Sequence, residues 1–309
     1  MPLSDDSIRA VLSALRLDRP TGFSWFDEPI EAVPAHLVDS IEPAVRRQAL
    51  VGRIQLRLYS SFYCYGRPVP ESTSRRADGS LPDPAFVARL SPGRDDVEVW
   101  VGGWTIRSED GEAVVAERDG LRLRAPAGDW QRTGAGAEVH LRYPREQHGL
   151  SPGHHVILDR RESTFRDSRS RLRIYWAVTP AGTPSLVRSL TTGLDALGVA
   201  HRLKVLNAPE RFARLDAAIL YLRQEDFPLA REVLRSTALL LGPSLRRGRP
   251  AFTQELAGGV ALAEDPPGGQ SFGFHRSGLL AEGIVRARES GAETPDERAH
   301  AVRATLVAA

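Results

Sequence analysis

The chain has 309 residues, 41% of them hydrophobic and 26% charged, and a formal net charge of +2. That is the profile of a globular protein with room for one large domain or two ordinary ones. No apolar run approaches the roughly 20 residues of a membrane span. The acidic, amphipathic start is unlike a signal peptide, and the lone Cys64 excludes an internal disulfide and a thiolate zinc cluster, so a cytoplasmic protein is expected.

In chain order, "SDDSIRAVLSALRL" and "PAVRRQALVGRIQLRLYSSFY" have helical spacing, with proline breaks between them. "GRPVPESTSRRADGSLPDP" is rich in Pro, Gly and Ser and reads as a loop. From Val97, "VEVWVGGWTIRSEDGEAVVAERDGLRLRAP" predicts three strands joined by Asp-Gly turns, an antiparallel meander, with further strands at "AEVHLRYP" and "HHVILD". After Arg160 the pattern mixes strands ("RLRIYWAVT", "HRLKVLN", "AAILYLR"), amphipathic helices ("TPSLVRSLTTGLDALG", "FPLAREVLRSTALLLG") and a hairpin ("FTQELAGGVALAED"). A Gly-rich loop and final helices follow. The expected class is α+β: a helical and β-meander region over residues 1–150, then a mixed sheet flanked by helices over residues 151–309.

Of the 41 lysines and arginines, only Lys204 is a lysine. A GC-rich genome explains the arginine bias. The exception is either chance or a position where a proton must be accepted, because arginine stays protonated in proteins and lysine does not have to. Strand alternation puts Arg202 on the face of Lys204, opposite Leu203 and Val205. In the same way Arg171, Arg173 and Tyr175 share a face opposite Leu172, Ile174 and Trp176, and Tyr221 shares one with Arg223. If these strands are neighbours, one sheet face is apolar and the other gathers Lys204, four arginines and two tyrosines, with no acid in those rows. A solvated surface is one reading of such a face. A phosphate pocket is the other, since guanidinium forks grip phosphate oxygens and crowding by cations lowers a lysine pKa.

"RLRIYWAVTP", "HRLKVLNAP", "ARLDAAILYLR" and "GGQSFGFHR", in that order, resemble the HopA-type family of type III effectors. Its relatives act as lyases in the biosynthesis of class V lanthipeptides and thioamitides, and it is distantly similar to the phosphothreonine lyases. The resemblance runs from about Leu150 to Arg276 and more thinly through "LYSSFYCYGRPVP". It implies a metal-independent lyase that eliminates phosphate from phosphoserine or phosphothreonine, leaving dehydroalanine or dehydrobutyrine in a ribosomally made precursor peptide, with no cofactor. It assigns α-proton abstraction to Lys204 and phosphate contacts to Arg173, Arg214, Arg223 and Arg276, with Arg202 joining them from its place on the Lys204 face. The phosphothreonine lyases carry a histidine acid where this chain has Tyr175, so the acid would be Tyr175, His275 or His201, or the phosphate leaves with little protonation. The N-terminal region, including Arg57, Tyr59, Tyr63 and Arg67, would contact the leader peptide or a partner and supply one pocket wall.

Other signals are weaker. "GQSFG" matches a serine-hydrolase elbow in form, but no strand runs into it. His154 and His155 are adjacent and point to opposite strand faces, which disfavours a shared metal. The phosphate-loop pattern Gly-x-x-x-x-Gly-Lys is absent, so a separate kinase-like phosphotransferase would have to phosphorylate the substrate. Neither nucleic acid nor membrane is an expected partner. The alternative to a lyase is an inactive phosphopeptide- or leader-binding adaptor.

Overall fold

The computed structural model describes residues 3–19, 21–78, 81–91, 99–147, 151–159, 170–266 and 271–308. Helix α1 (Asp5–Ala14) starts behind Ser4, whose hydroxyl accepts the Ser7 N–H. Its apolar spacing predicts a run to Leu17, yet the helix stops at Ala14. Leu15 instead opens strand β1 (Leu15–Arg19), which pairs with β2 (Gly22–Trp25), itself paired with β3 (Glu28–Glu31). Phe23 and Trp25 are fully buried, and Leu15 lies opposite Trp25 in register. Covering two aromatics outweighs one more turn of helix.

Helix α2 (Pro43–Ser61) follows, with Leu50, Ile54 and Leu58 as its buried stripe. Within the stretch read as a loop, residues 71–78 form helix α3 (Glu71–Asp78), and Ser74 is hydrogen-bonded to Ser61 of α2 at 3.0 Å. Helix α4 (Pro84–Leu90) is capped by Asp83, which accepts the Phe86 N–H. The Gly-rich loop is only partly covered, since 267–270 lie outside the described residues.

The meander consists of β4 (Val99–Glu109), β5 (Ala113–Arg118), β6 (Leu121–Pro126), β7 (Trp130–Arg132) and β8 (Glu138–Tyr143), ordered β6-β5-β4-β8-β7. Asp119 and Gly120, both at positive φ (52° and 79°), make the β5–β6 turn that the Asp-Gly pair predicts. Trp104, Val114, Ala116, Val139 and Leu141 fill its small core.

The second sheet has seven strands: β9 (Glu146–Gln147), β10 (His154–Leu158), β11 (Arg171–Trp176), β12 (His201–Leu206), β13 (Ala218–Arg223), β14 (Gln254–Ala257) and β15 (Val260–Glu264). Their order is β14-β15-β11-β13-β12-β10-β9, and neighbouring strands pair antiparallel throughout. Helices α5 (Thr183–Ala196) and α6 (Phe227–Leu241) cover one face. There Leu186, Leu190, Leu194, Ala230 and Leu234 pack on Ile174, Trp176, Leu203, Val205, Leu220 and Leu222. Gly198, at φ +70°, ends α5 where the sequence predicts.

The other face is covered in two parts. Val99 and Val101 of the meander meet Val156 and Leu158 of β10. Tyr175, Ile219 and Tyr221 join a core with Leu58, Phe62 and Tyr63 of the N-terminal region and with Phe272 and Leu280 of α7 (Phe272–Glu289). Helix α8 (Pro295–Val307) closes the chain and packs on α7 and α1. One buried cluster therefore contains residues from both sides of position 150. Among the described residues no helix is long and apolar enough to cross a membrane.

Candidate active site

The register turns the alternation argument into a surface. On β11, β13 and β12, Arg173, Tyr221 and Arg202 lie side by side in one row across the sheet, and Tyr175, Ile219 and Lys204 form the next. The Arg173 guanidinium lies 5.1 Å from the centre of the Tyr221 ring. The apolar residues between them are buried under α5 and α6, which fixes which face each charged side chain takes.

Lys204 is partly buried, and its amine is lowered to about 8. Burial is the largest cause, followed by the Arg173 and Arg202 guanidiniums; Asp216 opposes the shift and Arg214 adds to it. Near neutrality about one-tenth of such an amine is unprotonated, against well under a thousandth of a solvated lysine.

The strand rows hold no acid, but acids reach them from outside. Asp265, just past β15, pairs with Arg173 and lies 3.0 Å from Arg171. Arg214, 8% exposed, donates two hydrogen bonds to Asp216, at 2.9 and 2.8 Å. Burial works to raise the Asp216 carboxyl, but Arg214 more than offsets this and holds it below its usual range. Arg223 bonds Asp226 at 2.6 and 2.9 Å where β13 ends, and is not among the charges that shift Lys204.

Tyr175 is fully buried, and burial pushes its phenol up, with Arg173 opposing. The Tyr63 ring meets it edge-on at 6.5 Å and is stacked in turn by Tyr59 at 5.5 Å. With 2% exposure, Tyr63 reaches the site as an inner wall and not as a surface contact. At Gly273 an added Cβ would stand 2.1 Å from the Tyr63 ring, so α7 can approach this wall only with glycine there. Ser271 caps α7, accepting the Phe274 N–H at 3.3 Å, and β15 ends at Glu264. The Gly-x-Ser-x-Gly resemblance is thus a helix cap followed by a packing glycine.

His275 and Arg276 sit in the first turns of α7, where the Arg276 guanidinium lies 5.8 Å from the Phe272 ring. His201 faces away from Lys204, with its Nδ1 3.0 Å from the Val199 carbonyl. Arg57 pairs with Glu71 and lies 3.3 Å from the Ser61 hydroxyl, beside a cavity of about 240 Å³ shared with Arg53, Ser60 and Ser74. Arg67 is exposed. The fold therefore gathers Lys204, Tyr175, Arg173, Arg202, Arg214 and Tyr63, keeps Arg223 on the same sheet face one row beyond the arginines, on the side away from Lys204, and places Arg57 and Arg67 elsewhere.

His154, which the sequence presents only as half of a disfavoured metal pair, lies beside the site. Val156 is the register partner of Lys204, so His154 is its diagonal neighbour on the same face. The Nδ1 of His154 is 3.0 Å from the Pro152 carbonyl. Burial first, then Lys204 and Arg214, lower this imidazole to about 4 and keep it neutral. It also lines a cavity of about 450 Å³ with Pro82, Pro84, Val87 and Asn207. His155 points the other way, 3.2 Å from Glu146. Among the described residues, Asp159, Asp195 and His201 have donor atoms within 4.8 Å of one another, but Arg145 bonds Asp195 at 2.9 Å and already supplies positive charge there.

The model of the HopA1 effector protein family matches residues 146–309. Two solved structures are similar. One, the effector protein from Pseudomonas syringae pv. tomato strain DC3000, has a TM-score of 0.36 and 17% identity over 47% of this chain and 62% of that one, so the present chain spans less than two thirds of it. The other, from Pseudomonas syringae pv. syringae strain 61, has a TM-score of 0.39 and 15% identity over 83% of this chain and 91% of that one. No curated protein matches the chain.

Proposed function

The chain belongs to the HopA1 effector protein family, and we propose that it is a lyase removing phosphate from phosphoserine or phosphothreonine in a ribosomally made precursor peptide. One observation carries this reading: the only lysine of the chain has an amine lowered to about 8 and stands one row from a pair of arginines on the same sheet face. β-Elimination needs that combination, a neutral base for the α-proton and fixed positive charge for the leaving phosphate.

Two residues along a strand span about 6.6–6.8 Å. A phosphate held between Arg173 and Arg202 therefore leaves the lysine amine opposite the α-carbon, clear of the dianion that would otherwise raise its pKa. Arg214 also acts on Lys204, but its charge is offset by its partner Asp216. Because Arg173 and Arg202 supply the charge, the reaction scheme calls on no metal. Without a phosphate-loop motif in the chain, the phosphate comes from a separate kinase-like phosphotransferase, which we place as its partner.

The pH dependence tests the base. Only unprotonated Lys204 is competent, so kcat/KM should rise from pH 7 to about 8 and level off above it. Measuring above pH 7 keeps the substrate phosphate dianionic throughout. A profile that is flat or falls across this interval contradicts the assignment. If the chain only binds phosphopeptides, no elimination appears at any pH while affinity persists.

A further inference from the structure

This inference rests on the lyase reading above. Side chains of one sheet face stand roughly perpendicular to it, so Lys204 and the Arg173–Tyr221–Arg202 row reach a bound phosphopeptide from one side. Tyr63, stacked on Tyr59 and tilted against Phe272, meets the adjoining Tyr175 edge-on. His154 lies beyond Lys204, on the side away from Arg202, and His275 lies on α7. Base and phosphate grip thus share a wall.

We propose that Lys204 makes both proton transfers of a syn elimination, taking the α-proton and returning it to the ester oxygen of the departing phosphate. The neutral amine accepts the proton from Cα, and the C–H electron pair becomes the Cα=Cβ double bond. The Cβ–O bond breaks with its electrons on the phosphate oxygen, and the new ammonium protonates that oxygen. Hydrogen phosphate departs as a dianion and Lys204 ends as it began, so no second acid is required. The electrostatics agree: burial pushes the Tyr175 and Tyr221 phenols up and lowers the His154 and His275 imidazoles, which leaves the lysine ammonium as the proton source near neutrality. A tyrosine where the phosphothreonine lyases carry a histidine acid is then no loss.

Product stereochemistry tests this. From L-phosphothreonine, removal of hydrogen and phosphate from the same side gives E-dehydrobutyrine, and removal from opposite sides gives Z. The full chain is incubated with a synthetic peptide bearing one phosphothreonine between alanines, with Lys204→Ala as background. The product formed above background is examined by nuclear Overhauser effects. A contact from the residue's own N–H to its vinyl proton marks E, the expected result. A contact to the methyl marks Z and overturns the proposal while leaving the lyase reading intact, since base and acid then stand on opposite sides. No product above background, either with this peptide or with a leader-bearing peptide in the presence of the phosphotransferase, overturns the lyase reading and this inference together.

Discussion

Replacing Lys204 by arginine is expected to lower elimination by roughly 10²–10⁴-fold, the range of a positioned general base, while phosphopeptide affinity changes little. The substitution keeps a cation at the same strand position and removes only the capacity to lose a proton. At pH 7 most Lys204 side chains are already charged, so a binding role would scarcely register the change. Single-turnover kinetics together with fluorescence anisotropy of a labelled phosphopeptide separate the two. Equal turnover by Lys204→Arg removes the lysine from the chemistry.

The second large effect concerns the buried Arg214–Asp216 pair, both of whose charges act on the lysine. Arg214→Met leaves Asp216 charged, buried and without its guanidinium, and should destabilise the fold by about 3–5 kcal/mol. Arg214→Met combined with Asp216→Leu should recover most of that loss, because apolar side chains replace both charges. Denaturant unfolding measures both variants. The Asp216 carboxyl is lower in the folded state than in the unfolded chain, so the pair's contribution is complete above about pH 4 and fades as pH falls further. An Arg214→Met variant as stable as the parent would mean that the pair is solvated and not part of the site's foundation.

The sheet face was legible in the sequence because period-2 alternation needs only local information. Ile174, Trp176, Leu203 and Leu220 announce a buried side, and Arg173, Tyr175, Arg202 and Lys204 follow as the opposite one. What alternation cannot supply is register. Asp265 and Asp216 lie outside the strands they neutralise, and His154 becomes a neighbour of Lys204 only once Val156 pairs with that lysine. Residues 15–31 were missed for a related reason. Leu15 and Leu17 fit a helical stripe locally, and only Phe23 and Trp25, further along the chain, make a strand there worth more. Helix α3 was hidden by composition, since Glu71, Ser72, Thr73 and Ser74 look like a loop until Ser74 is packed on Ser61 of α2. The tyrosine wall was half visible: "YSSFYCY" shows the aromatics, but not that Tyr63 closes over Tyr175.

The most direct measurement is mass spectrometry of a phosphoserine peptide incubated with the full chain in the presence of chelator and without nucleotide. The phosphotransferase and a leader-bearing peptide are added in a parallel reaction. Loss of phosphoric acid to give dehydroalanine is expected in at least the second reaction, and no loss when Lys204 is replaced by alanine. Intact phosphopeptide in both reactions, with the chain still binding it, would contradict a lyase and leave an adaptor that holds phosphorylated peptides.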